Sequence, residues 1–87
     1  MLTMEECIAL SELTEEEIAA IAEHEHVPEI VALELGNYLV HTASGQRRIK
    51  AMIADDIRHA CACGDRQRSA ALRLVLRHFV QEHKPAH

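Results

Sequence analysis

Residues 1–46 contain no lysine and no arginine, although ten of the fourteen carboxylates lie there. From Arg47 onward nine basic residues stand against four acids, Asp55, Asp56, Asp65 and Glu82. A chain divided in this way must turn its basic half toward its own acidic half, a second copy or an acidic partner. Other shortages narrow the architecture. Tyr38 and Phe79 are the only aromatic residues and tryptophan is missing, so the core must come from Ile, Leu, Val, Ala and Met. Three glycines and two prolines leave little material for the many turns of an all-β chain, while the abundant Ala, Glu, Leu and Arg favour helix. Three cysteines, two of them one residue apart, do not form a disulfide framework. The longest apolar stretch, 30–40, is interrupted by Glu34 and is too short to span a bilayer. The opening MLTMEEC is acidic, unlike the basic leader of a secretory signal. These features predict a reduced, cytoplasmic chain with no membrane segment.

At 87 residues the chain makes one domain, 1–87, close to the smallest core that folds alone. Its punctuation predicts a short helix and four longer ones. Thr3 with Glu6, and Thr14 with Glu17, have the spacing of capping boxes, in which hydroxyl and carboxylate satisfy each other's backbone N–H groups. The first helix runs to about Leu10. The second ends near His26, because Pro28 disfavours helical geometry at Val27. Pro28 suits the first position of a third helix reaching about Thr42. Ser44 is expected to cap a fourth that reaches Cys63, with Gly64 as its left-handed stop. Asp65 caps the last helix, to about His83, and residues from about Lys84 form a flexible tail. The predicted class is all-α: a small four-helix bundle-like domain with an extra short N-terminal helix, completed by dimerisation.

Projection at about 100° per residue separates the faces of these helices. The Thr14 helix should bury Ile18, Ile21 and Ala22, and the last helix Leu72, Val75, Leu76 and Phe79. The Pro28 helix is apolar over most of its circumference, with a narrow polar stripe of Glu34, Asn37 and His41. Its small residues Ala32, Gly36 and Ala43 share a face that another backbone could approach closely. A helix of this kind in so small a protein points to a two-fold dimer, with Ala32, Leu35, Gly36, Tyr38 and Leu39 at its interface.

Two carboxylates occupy positions where apolar side chains would be expected. Asp56 lies within the stripe Ile49, Met52, Ile53, Ala60 and Cys63; Glu25 lies on the stripe of Ile18, Ile21 and Ala22. A buried charge must find a partner, reach solvent or stay protonated. His59, three residues after Asp56, is the nearest candidate partner in sequence. A site built from Glu25, Glu34, His41, Asp56 and His59 could hold iron, manganese or zinc; the simpler reading is a structural polar network with no cofactor. The Glu-x-x-His spacing of bundle metal sites is approached at Glu23–His26 and Asp56–His59. Glu23, however, points away from its apolar stripe and His26 borders the proline break. Cys61 and Cys63 diverge by about 200° on a helix and cannot grip one ion together, with Cys63 expected on the core side.

Arg66, Arg73, Arg77 and Lys84 fall within about 40° of each other and form one basic stripe on the last helix. Such a stripe could track phosphates, but the acidic net charge of −5 and the shortage of aromatic residues for stacking favour protein contact. No Gly-x-Ser-x-Gly turn or glycine-rich phosphate loop is present, and no catalytic residue is assigned. The sequence therefore predicts a non-catalytic interaction or regulatory module acting as a homodimer. A transition-metal bundle and a nucleic-acid-binding protein are the alternatives.

Overall fold

A computed structural model describes residues 2–83. Among the described residues all regular structure is helical: α1 (Met4–Leu10), α2 (Glu15–Glu25), α3 (Glu29–Leu39), α4 (Ala43–Ala62) and α5 (Arg66–Glu82). The tail expected from Lys84 onward, and with it the Lys84 end of the basic stripe, lies outside these residues.

Local hydrogen bonds explain most of the boundaries. Thr3 and Thr14 each complete a capping box, their hydroxyls accepting from the Glu6 and Glu17 N–H groups at 3.1 and 3.2 Å. Asp65 accepts from the Arg68 N–H at 3.0 Å and starts α5. Gly64, with φ +74°, ends α4 in the left-handed region where a side chain would be strained. His26 takes the same region, φ 57°, at the end of α2. Two boundaries differ from expectation. Pro28 precedes α3 instead of opening it, with extended ψ 155°. The third helix also stops at Leu39, and Thr42, not Ser44, caps α4 by accepting from the Gly45 N–H at 2.9 Å. The cause is a close approach: a Cβ on Gly45 would collide with the Leu39 carbonyl, so the chain turns between 40 and 42 to lay the first turn of α4 on the end of α3.

The core is built on Ile18 and Ile21 of α2, Leu33 of α3, Ile49 and Ile53 of α4, and Phe79 of α5. The longest helix, α4, packs most extensively on α5 and also meets α2 and α3; α2 lies on α3 and barely touches α5. Of the apolar residues expected to be buried, Ala22, Val75 and Leu76 are only half-buried. No residue of α1 is buried.

The small-residue face of α3 is used inside the subunit. Ala32, Leu33, Gly36 and Leu39 are all buried, and Leu13 and Ile21 fill the space where a Gly36 side chain would lie. The space expected there for the backbone of a second copy is filled by side chains of the subunit's own α2 and the segment before it. Leu35 is half-buried against the core, and Tyr38 is left 79% exposed.

Candidate functional site

Where α2 meets α4, charges from opposite halves of the chain come together. The His24 Nδ1 lies 2.9 Å from Glu25 Oε2, and its Nε2 lies 3.2 Å from Asp55 Oδ2 on α4. An imidazole with a carboxylate at each nitrogen donates from both only as imidazolium. Burial pulls the His24 pKa down, but the hydrogen bonds to Glu25 and Asp55, with the charge of Asp56 nearby, outweigh it and leave it above its ordinary 6.5. Asp55 is correspondingly held below the usual carboxylate range, chiefly by His24 and then by Arg58, with which it forms an ion pair. Asp56 moves the other way: burial raises its pKa, and its Oδ2 is buried with no hydrogen-bond partner. Arg48 reaches Glu25 at 3.9 Å, and Arg68 of α5 pairs with Glu23.

A second acid–imidazole contact closes the other end of the α2–α5 pair. Glu17 is 1% exposed. Its Oε1 accepts from the Thr14 N–H at 2.8 Å as part of the cap, and its Oε2 lies 3.5 Å from His78 Nδ1 on α5. His78 also reaches Glu82 one turn on, at 3.7 Å, the pairing their spacing suggests. The capping role of Glu17 was visible in its spacing from Thr14. Its burial was not, since that depends on where α5 crosses.

The five residues considered for a metal are not brought together. Glu34 and His41 are exposed, one on α3 and the other just beyond its end. Glu25 is engaged by His24 and Arg48. The exposed His59 does not meet Asp56; its Nε2 lies 3.7 Å from Cys63 Sγ. Among the described residues no three His, Cys, Asp or Glu side chains converge where one ion could sit. Cys63, expected on the core side, is exposed as the C-cap residue just beyond α4. Cys61 is also exposed; the Ser69 hydroxyl at 3.2 Å, assisted by Arg73, lowers its thiol pKa.

Between α2 and α5 runs an open groove made of two adjoining hollows of about 430 and 420 Å³, which share Glu16, Ala71 and Val75. Its floor is small and apolar, with Ala19, Ala20, Ala71, Leu72 and Val75. Glu16 and Glu23 stand on the α2 lip, and Leu74, 67% exposed, rises on the α5 lip. Beyond Leu74 on α5 comes the basic stripe. Arg66, Arg73 and Arg77 are exposed, and among the described residues none has a carboxylate within 4.0 Å, whereas Arg48, Arg58 and Arg68 all do. Glu12, Glu15 and Glu16 likewise have no cation within that distance among the described residues.

In comparison with known proteins, the chain matches no protein-family model, no curated protein and no solved structure. Among the described residues no helix is long and apolar enough to cross a membrane.

Proposed function

We propose that this protein is a small, non-catalytic helical interaction module that acts as a homodimer, a four-helix bundle-like unit completed by its second copy. The observation that carries the reading is the order of features across the α2–α5 side: acidic lip, apolar groove, Leu74 ridge, basic stripe. A two-fold axis normal to this surface, between groove and ridge, reverses that order in the partner. Each Leu74 ridge then enters the other copy's groove, and each arginine stripe meets the other copy's Glu16 lip. Such self-complementarity is what an isologous interface requires.

Two physical quantities agree with this reading. The molecule is thin, 41 × 35 × 18 Å, and exposes 5928 Å². A compact monomer of this mass would expose roughly 5,200 Å². Surface is therefore available for a contact of the roughly 800 Å² that one partner contributes to a standard stable interface. Leu74 and the alanine floor supply the apolar contact. The ion pairs add only about 0.2–1 kcal/mol each in a wet rim, but they select the antiparallel orientation over others. We assign the interface to α5 and not to α3, since Ala32, Gly36 and Leu39 are buried within the subunit.

Sedimentation equilibrium at micromolar concentration tests the proposal. Wild-type protein is expected as a dimer, and Leu74→Glu as a folded monomer with unchanged helical circular dichroism. A monomeric wild type, or a Leu74→Glu protein that remains dimeric, contradicts it.

A further inference from the structure

The basic stripe and the ion pairs of α2 leave the acidic surface of α1 and α3 unanswered within the described residues. Among the described residues, five of the seven exposed large apolar side chains lie on α1 and α3 or just before α1: Leu2, Leu10, Ile30, Val31 and Tyr38. No residue of α1 is fully buried: Met4, Cys7 and Ile8 pack partly against the core, while Leu10 is left on this surface. A hollow of about 340 Å³ lies between the two helices, lined by Cys7, Leu10, Ile30, Leu33, Glu34 and Asn37. Lone exposed apolar residues are ordinary, but Leu2, Leu10 and Ile30 border this one hollow together, and such a group marks a contact surface.

The charges on that surface have one sign. Glu34 is three or four residues from Ile30, Val31 and Tyr38, which puts it in the middle of their face; Glu6 is four residues from Leu10 and shares its face. Both are exposed, and among the described residues neither has a cation within 4.0 Å. No lysine or arginine exists anywhere in residues 1–46 to supply one.

We propose that the α1–α3 groove docks a basic amphipathic helix from another protein, its apolar ridge seated between Leu10 and Ile30 and its flanking lysines or arginines meeting Glu6 and Glu34. The all-helical surface offers no sheet edge for strand addition, so the mode that fits is a helix laid in a groove and read through anchors at i, i+3 or i+4, and i+7. Charge decides against a second copy here. A two-fold contact through this face would bring Glu34 and Glu6 against like charges with no cation to relieve them. The α2–α5 side, which carries both signs, has no such conflict. Each protomer of the proposed dimer thus keeps one α1–α3 groove, and the dimer presents two.

Two synthetic helical peptides of equal length and heptad pattern, one of leucine and lysine and one of leucine and glutamate, serve as probes in isothermal titration calorimetry. The leucine–lysine peptide is expected to bind one per chain, at least about tenfold tighter than the leucine–glutamate peptide, with affinity falling as salt is raised. Glu34→Lys and Ile30→Ser are each expected to weaken it by about tenfold, while Glu82→Lys, the same charge change on α5, leaves it within about twofold. Equal affinity for the two peptides overturns the proposal. So does equal weakening by Glu34→Lys and Glu82→Lys, which would signify general attraction to an acidic protein, and so does an Ile30→Ser protein that binds normally. If the second copy covers this face, wild type does not bind the peptide and Tyr38→Glu dissociates the dimer, which also overturns it. The monomeric Leu74→Glu protein is expected to bind the peptide unchanged, so failure here and failure of the α5 dimer are separate results.

Discussion

The α2–α4 junction and the outer side of α5 carry the same kinds of charged side chain and use them differently. At the junction, carboxylates and cations from both halves meet: His24 bridges Glu25 and Asp55, Arg48 reaches Glu25, and Arg68 holds Glu23. On the outer side of α5, Arg66, Arg73 and Arg77 meet no carboxylate among the described residues, although the acidic lip of α2 stands across the groove from them. Part of the charge division is therefore resolved within the subunit, and the remainder is displayed in an order that a second copy can match. On the proposed reading the junction bears on folding stability and its dependence on pH, and the stripe on association.

Substitutions can separate those roles. The largest effect is expected from Arg73→Glu combined with Arg77→Glu, which turns attractive rim contacts repulsive on both sides of a two-fold interface. The dimer should weaken by about 2–4 kcal/mol while monomer stability changes by less than about 0.5 kcal/mol, read by sedimentation equilibrium and urea unfolding. Next comes Glu17→Ala, which removes half of a capping box and leaves buried groups unpaired. It should cost about 1–3 kcal/mol in urea unfolding, with no effect on association beyond that on folding. A smaller change follows from His24→Gln. The pKa of His24 is raised in the fold, so its contribution is fully present below its ordinary 6.5 and disappears as pH rises through the folded value. Wild type should exceed the variant by about 0.5 kcal/mol in mildly acidic buffer, after allowing for solvent screening, and the two should converge in alkaline buffer. The smallest is Asp56→Asn. Its raised pKa means that the ionised carboxylate opposes folding, a penalty present above the folded pKa and absent below the ordinary 3.8. The variant should melt about 1–2 °C higher at neutral pH, with the gain fading in acid.

What could be foreseen from the sequence depended on the distance over which each feature is decided. Both capping boxes, the Asp65 cap and the Gly64 stop involve groups within a few residues of one another, and all four stand where their spacing put them. The orientation of α3 was harder, because a helix apolar on nearly every side does not declare which side faces inward. Leu13 and Ile21 decide that by filling the space beside Gly36. Asp56 was identifiable as a carboxylate on an apolar stripe, but its nearest sequence partner, His59, turns toward Cys63. The contact that organises the junction joins His24 to Asp55 across 31 residues, a separation that helical spacing alone cannot bridge. The α2–α5 groove was equally hidden, since it exists only because α5 packs on α4 and leaves α2 largely alone.

Complementary charge reversal tests the dimer most directly. Glu16→Arg and the Arg73→Glu, Arg77→Glu double variant should each be monomeric alone at a concentration where wild type is dimeric. Mixed in equal amounts, they should form a heterodimer, because residue 16 of each chain then faces residues of opposite sign at 73 and 77 of the other. Sedimentation of the mixture as monomers, or dimerisation of either variant by itself, would contradict the account.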